Sequence, residues 1–180
     1  MRAFVAVDLP GSMLEALTRL QMLIPVGRKV AVENLHLTLA FLDEQPETVL
    51  EDLHGELERL PTQPLSLGVS GLGCFGGDKP RLLFADVPPG DVLKDLHGQI
   101  AAAARRVGIS LRRERFHPHI TLSRINGRLS FQEVGRLDAF LRDQGGVILP
   151  AERCPSFSLV QSTLGPKGAR YDRLATYDLV

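Results

Sequence analysis

The order of predicted elements along this chain is strand, helix, strand, helix, strand, and this order occurs twice. The second strand of each set carries the same four-residue pattern, His36-Leu37-Thr38-Leu39 in the first set and His119-Ile120-Thr121-Leu122 in the second. Sequence identity between the two sets is low outside this pattern, so the repeat is one of architecture. A repeat of this kind predicts two similar lobes that face each other across a cleft.

Hydrophobic periodicity assigns the individual elements. Apolar residues that recur every three or four positions predict helices, and the pairs Ser12–Glu15 and Ser130–Glu133 predict capping boxes at two helix starts. Gly73 and the glycines that follow it indicate a loop. Strands are predicted over residues 4–7, 30–42, 65–72, 82–87, 116–125, 157–164 and 171–179, with a turn at 165–168.

These elements predict an α+β fold. We expect a bilobal molecule with two pseudo-symmetric antiparallel or mixed β-sheets, helices on the outer faces and a central active-site cleft. The length of 180 residues suits one two-lobed domain over residues 1–180.

Composition narrows the classes of function. The formal net charge is zero, which argues against a broadly basic surface for long nucleic acids but leaves room for a local phosphate pocket. Cys74 and Cys154 lack metal-site spacing and are interpreted as free thiols in a reducing cytoplasm. The first apolar run ends at Asp8, too early for a signal peptide, and no run reaches membrane-spanning length. A cytoplasmic monomer without a membrane partner is expected.

The paired pattern carries the chemistry. Alternation along a strand places His36 and Thr38 on one face, and His119 and Thr121 likewise, while the intervening apolar residues enter the core. Random placement gives only about 0.2 His-x-Thr triplets in a chain of this composition. Imidazoles titrate near neutral pH and serve as acid or base, and hydroxyls donate to phosphate oxygens. The set suits attack on a phosphodiester.

Two other interpretations of these residues stay open. Each histidine can satisfy a polar need of the core, with each threonine present only as a strand former. Alternatively, His36, His117 and His119 can form a three-histidine zinc site, which leaves both threonines unexplained.

The chain resembles the two-histidine phosphoesterase superfamily, specifically its RNA 2′,3′-cyclic phosphodiesterases, also called 2′-5′ RNA ligases. The resemblance covers nearly the whole chain. It implies metal-independent hydrolysis of RNA 2′,3′-cyclic phosphate ends to 2′-phosphates without a cofactor, and weak reverse ligation of tRNA halves. It also implies that one motif histidine is the base and the other the acid, with Thr38 and Thr121 as phosphate ligands. We assign His119 as base and His36 as acid, and opposed imidazoles also allow the exchanged roles. The residues that carry it are 2–6, 34–42, 116–124, 159–164, Gly168 and Tyr171.

Further candidate residues lie near the two motifs. Arg124 follows the second motif and is expected to bind phosphate or the RNA backbone. Arg2 and Phe41 are candidate RNA-binding residues, although strand parity places Phe41 with the buried leucines. A basic run, Arg112, Arg113 and Arg115, precedes the second motif and either guides RNA or forms a solvated face. The family usually has glycine where this chain has Asp43, which questions the local backbone shape and not the chemistry.

A non-catalytic module that binds nucleotides or RNA ends is the alternative function. Among substrates, the sequence leaves open RNA ends, tRNA fragments and small cyclic nucleotides.

Overall fold

The computed structural model describes residues 1–165 and 168–180, and within them the chain forms ten β-strands and four α-helices. The predicted turn at 165–168 includes Pro166 and Lys167, which lie outside the described residues. The helices are α1 (Gly11–Leu23), α2 (Glu47–Glu58), α3 (Asp91–Arg106) and α4 (Phe131–Gln144). The strands are β1 (Arg2–Val7), β2 (Arg28–Lys29), β3 (Leu37–Glu44), β4 (Ser66–Ser70), β5 (Leu72–Phe75), β6 (Leu82–Asp86), β7 (His119–Arg124), β8 (Ile148–Arg153), β9 (Ser156–Gly165) and β10 (Gly168–Asp178).

Helices α1, α2 and α3 bury most of the apolar stripes that predicted them, whereas α4 buries Leu137 and Phe140 and leaves Val134 exposed. The two predicted capping boxes have different outcomes. The Ser130–Glu133 box is confirmed, since the Ser130 hydroxyl accepts from the Glu133 amide and the Glu133 carboxylate accepts from the Ser130 amide. The Ser12–Glu15 box is wrong. Helix α1 already begins at Gly11 after Pro10, so Ser12 lies inside the first turn and its hydroxyl donates to the Glu152 carboxylate instead.

Eight strands form one antiparallel sheet with a narrow junction in its middle. The order is β10-β9-β1-β3-β7-β6-β5, with β2 also paired to β7, while β4 and β8 form a separate two-stranded sheet. At the junction, β3 and β7 share a single register pair, Leu37 with Ile120. We call β10-β9-β1-β3 the first half-sheet and β7-β6-β5 with β2 the second. Two antiparallel sheets with four helices confirm the predicted α+β class.

The two halves of the chain exchange elements between the half-sheets. Helix α1 packs on β7 and β8, whereas α3 packs on β3 and α2. Strand β2 pairs with β7, and the last two strands pair back onto β1 through β9. One core cluster of buried residues therefore includes apolar side chains from both half-sheets and from all four helices. In the described residues, no helix is long and apolar enough to cross a membrane.

Two predicted strands are interrupted in the structure. The predicted strand 30–42 begins only at Leu37, because a 3₁₀ turn at Val32–Asn34 interrupts it. The predicted strand 65–72 divides at Gly71, whose φ of +111° turns the chain between β4 and β5. Strand β8 was not predicted.

Gly73 lies in strand β5 and not in the predicted loop. A Cβ atom at Gly73 would come within 2.5 Å of the Phe84 ring, so the absent side chain leaves the space that this ring occupies. The loop that the glycines indicated begins only after Phe75.

Asp43 has a left-handed backbone with φ of +54°, which explains why glycine is usual there in the resembling family. Aspartate tolerates this conformation better than most residues, whereas a β-branched side chain is strained. We expect Asp43→Val to lower the free energy of unfolding by about 1–2 kcal/mol. The control Asp43→Gly loses the same exposed ion pair with Arg112 but not the conformation. Equal stability of the two variants in urea unfolding would contradict this account.

Candidate active site

The junction between the half-sheets brings the two motifs together. Since Leu37 pairs with Ile120 in antiparallel register, its continuation places His36 opposite Thr121 and Thr38 opposite His119. Leu37 and Ile120 are fully buried, so all four polar side chains lie on the other face. The predicted convergence of two imidazoles and two hydroxyls thus follows from one register pair.

Both imidazoles are fixed in the same way. Nδ1 of His36 lies 2.7 Å from the Asn34 carbonyl oxygen, and Nδ1 of His119 lies 2.7 Å from the His117 carbonyl oxygen. A carbonyl only accepts, so each Nδ1 carries the proton and each neutral ring has an unprotonated Nε2. The Thr38 hydroxyl lies 3.1 Å from Nε2 of His36 and donates to it. The 3₁₀ turn that shortens β3 supplies the Asn34 carbonyl.

Aromatic rings pack against each histidine. The Phe4 ring stacks on His36 at 4.8 Å between centroids, and Tyr171 meets it edge-on at 5.4 Å. Phe75 and Phe84 meet His119 edge-on at 5.0 and 5.3 Å. Of these rings, the resemblance already included Phe4 and Tyr171. No pattern in the sequence indicated Phe75 and Phe84, because their closeness to His119 depends on the β5–β6–β7 pairing.

This environment lowers the pKa of both histidines. Burial is the largest cause for His36, whose pKa falls from 6.5 to about 4, and the positive charges of Arg124 and His119 act in the same direction. Burial also lowers the pKa of His119, with further lowering by His117 and Arg124. Both rings are therefore neutral at pH 7 in the free protein.

A β-bulge turns Arg124 toward the motif face. Strand β6 pairs Phe84 with Thr121 and Leu83 with Ser123, so Leu122 has no partner in the register. The bulge reverses the alternation after Thr121. Arg124 therefore projects from the same face as Thr121, is exposed, and forms no ion pair with any described residue. Its influence on the pKa of both motif histidines indicates that its charge acts on the site.

The parity argument for Phe41 is wrong, because β3 has the matching bulge. Strand β1 pairs Ala6 with Thr38 and Val5 with Ala40, so the register omits Leu39. Phe41 consequently returns to the motif face, with 56% of its surface exposed. Phe41 and Arg124 are each the third residue after a motif threonine and occupy corresponding positions.

A cleft of about 970 Å³ opens beside the motifs, within the size range of ligand sites. Its walls include Thr38 and His119 from the motifs, together with the candidate residues Arg2 and Phe41. His36, Thr121 and Arg124 are not among the lining residues. From the basic run, the cleft is lined by Arg112 and Arg115, of which Arg112 is paired with Asp43 at 3.3 Å.

The structure ties His117 to a carboxylate. Nε2 of His117 lies 2.7 Å from Asp86, and the His117 carbonyl oxygen holds His119. Among the described residues, no group of three His, Cys, Asp or Glu side chains is arranged to hold a metal ion. The three-histidine zinc interpretation has no geometric support there. Cys74 and Cys154 are not disulfide-bonded, and burial raises the pKa of both thiols.

This chain is similar in sequence to known proteins. The sequence profile of the 2′-5′ RNA ligase superfamily matches residues 14–142. A protein of Archaeoglobus fulgidus named RNA 2′,3′-cyclic phosphodiesterase is 31% identical over 99% of this chain and 100% of its own length. One of the same name from Aeropyrum pernix is 30% identical over 82% of this chain and 83% of its own.

Solved structures show the same architecture. The protein TT0787 of Thermus thermophilus superposes with a TM-score of 0.82 at 30% identity, over 99% of this chain and 98% of that one. E. coli LigT complexed with 3′-AMP superposes with a TM-score of 0.81 at 26% identity, over 99% of this chain and 97% of that one. With residues 14–142 matched by the family profile and relatives at least 30% identical over most of its length, this chain belongs to the 2′-5′ RNA ligase superfamily.

Proposed function

We propose that this protein hydrolyses RNA 2′,3′-cyclic phosphate ends to 2′-phosphates by acid–base catalysis with two histidines and without a metal. The observation that carries the proposal is the register at Leu37 and Ile120, which sets each motif histidine opposite the threonine of the other motif. The names of the relatives from Archaeoglobus and Aeropyrum support the same activity. RNA with a 2′,3′-cyclic phosphate end, such as a tRNA fragment, is the proposed substrate, and small cyclic nucleotides are the alternative.

In the proposed reaction, His119 accepts a proton from water as the water oxygen attacks phosphorus. The bond from phosphorus to O3′ breaks, and His36, protonated at Nε2, gives its proton to O3′. The product has a 2′-phosphate and a free 3′-hydroxyl. Thr38, Thr121 and Arg124 stabilise the charge on the non-bridging oxygens. With a 5′-hydroxyl of a second RNA strand in place of water, the same attack on phosphorus and departure of O3′ gives weak ligation through a 2′-5′ bond, and each histidine keeps its role.

Binding of the substrate phosphate favours the protonated form of His36, which the free protein lacks at pH 7. His36 needs a proton to act as an acid, and its pKa of about 4 leaves it neutral at pH 7. A phosphate anion beside His36 favours the imidazolium and offsets the charge of Arg124. Protonation of Nε2 also ends its role as acceptor for Thr38, whose hydroxyl is then free to donate to the substrate.

End-group analysis of an oligonucleotide with a 2′,3′-cyclic phosphate tests the proposal. We expect complete conversion to the 2′-phosphate, with an unchanged rate in excess EDTA. Loss of activity in EDTA that zinc restores would contradict the metal-free mechanism. A 3′-phosphate product would contradict the assigned leaving group, and binding without any product would establish the non-catalytic module.

A further inference from the structure

The fourth residue of each motif is the bulged residue. Leu39 and Leu122 are omitted from the pairing of their strands with β1 and β6, and both are buried. Each bulge decides which face the residue two positions later occupies. Phe41 and Arg124 depend on these bulges for their place on the motif face.

A buried side chain of α1 holds the second bulge. Nε2 of Gln21 donates to the Leu122 carbonyl oxygen at 2.8 Å and to the Val30 carbonyl oxygen at 2.9 Å. The Val30 amide donates to the same Leu122 carbonyl at 2.9 Å. Gln21 is only 4% exposed, in a helix face that is otherwise apolar. The buried Gln21 amide donates one hydrogen bond to β7 and one to the segment after β2. It therefore fixes the position of these two segments relative to each other.

A side chain of α3 holds the first bulge in the corresponding way. Nδ1 of His97 donates to the Leu39 carbonyl oxygen at 2.8 Å. The His97 ring lies parallel to Phe116, with 3.9 Å between centroids and 3° between planes, so its orientation is set from two sides. Each helix acts on the motif of the other half of the chain, because α1 packs on β7 and α3 on β3.

We propose that Gln21 and His97 are positioning residues, which fix the bulges at Leu122 and Leu39 and thereby aim Arg124 and Phe41 at the bound nucleotide. The inference rests on the proposed function. Arg124 is the cation for the phosphate and Phe41 the exposed ring on which a base stacks. Loss of Gln21 is then expected to weaken the stabilisation of the charge that develops on the phosphate during the reaction. Loss of His97 is expected to weaken the binding of the nucleotide.

The variants Gln21→Met and His97→Phe remove the donors and keep similar side-chain size. Gln21→Met is expected to lower kcat roughly 10- to 100-fold, the scale for a misplaced group, and to weaken binding of the phosphate by a smaller factor. His97→Phe keeps the stack on Phe116 and is expected to raise KM several-fold with kcat retained. His97→Asn restores a donor near the position of Nδ1 and should recover part of the wild-type KM.

Double-mutant cycles separate positioning from a general structural role. In an Arg124→Ala background, Gln21→Met should cause no further loss in kcat, and in a Phe41→Ala background, His97→Phe should not raise KM further. If the effect of each double variant equals the product of its two single effects, in both cycles, the proposal is overturned. Leu137→Ala, a buried change in α4, controls for lost stability and should leave kcat and KM unchanged.

Phosphate binding distinguishes a failure of this inference from a failure of the proposed function. If the wild-type protein does not turn over the cyclic phosphate, the proposed function fails. The double-mutant cycle of Gln21 and Arg124 is then measured as affinity for inorganic phosphate. Weaker phosphate binding in Gln21→Met that disappears in the Arg124→Ala background would still support positioning. Equal affinity of wild type and Gln21→Met would overturn it.

Discussion

Replacing His36 or His119 by alanine is expected to lower turnover of a 2′,3′-cyclic phosphate by about 10²–10⁴-fold, the usual contribution of one general acid or base. Each imidazole lies opposite the other motif's threonine, and no other described side chain bonds its Nδ1, which a backbone carbonyl holds. Steady-state kinetics with a cyclic-phosphate oligonucleotide measure the loss. Circular dichroism and urea unfolding check that the variants remain folded.

The matched control is His54→Ala, because His54 lies on α2 and bonds the hydroxyl of Tyr177 away from the motifs. Its turnover should equal that of the wild type. The double variant His36→Ala with His119→Ala should lose far less than the product of the single losses, since acid and base act in one step. Wild-type turnover in either single variant would exclude acid–base catalysis by this pair.

The titration of His36 is expected to depend strongly on a bound anion. In the free protein, NMR should give a pKa near 4 for His36 and one below 6.5 for His119, mainly because both rings are withdrawn from water. Saturating phosphate should raise the pKa of His36 by roughly one pH unit or more, because the anion favours the charged ring. This corresponds to a tenfold or larger gain in proton affinity. An unchanged pKa with phosphate bound would contradict the role of His36 as acid.

Arg124→Ala is the control for the electrostatic part of this titration. Without that positive charge, the pKa of His36 in the free protein should rise, and that of His119 should rise with it. Burial remains in the variant, so neither value should return to 6.5. A fall in either pKa would show that Arg124 does not act on the site by charge.

The same shift makes stability depend on pH in a defined window. Between about pH 4 and 6.5 the unfolded chain protonates His36 while the folded chain does not, so the free energy of unfolding falls as pH falls through that window. The contribution is complete above pH 6.5. His36→Asn should lose part of this dependence in urea unfolding, and an unchanged slope would point to other groups.

Much of the architecture could be predicted because periodic patterns report burial locally. The leucine stripe of α2 and the capping box of α4 are set by residues within a few positions of each other. The errors had one local cause and one distant cause. Ser12 does not cap α1 because Pro10 already precedes the helix start, and Gly73 is in a strand because the Phe84 ring covers it.

The candidate site was predictable to the same extent. Alternation placed His36 and Thr38, or His119 and Thr121, on one face, because two residues separated by one position need no tertiary information. Alternation predicted the wrong face for Phe41, because a bulge at Leu39 exchanges the two faces of the strand for the residues that follow. No pattern in the local sequence predicts this bulge. Arg124 depends on the same event at Leu122.

Local residue patterns were thus enough to establish that two His-x-Thr strands exist, that each buries its apolar residues, and that the chain repeats its architecture. How those strands meet depends on long-range pairing. The register of Leu37 with Ile120 sets the opposition of the motifs, and the two bulges aim Arg124 and Phe41. Register and bulges depend on hydrogen bonds between segments far apart in the chain, such as that from Gln21 to Leu122, and no local pattern of residues encodes them.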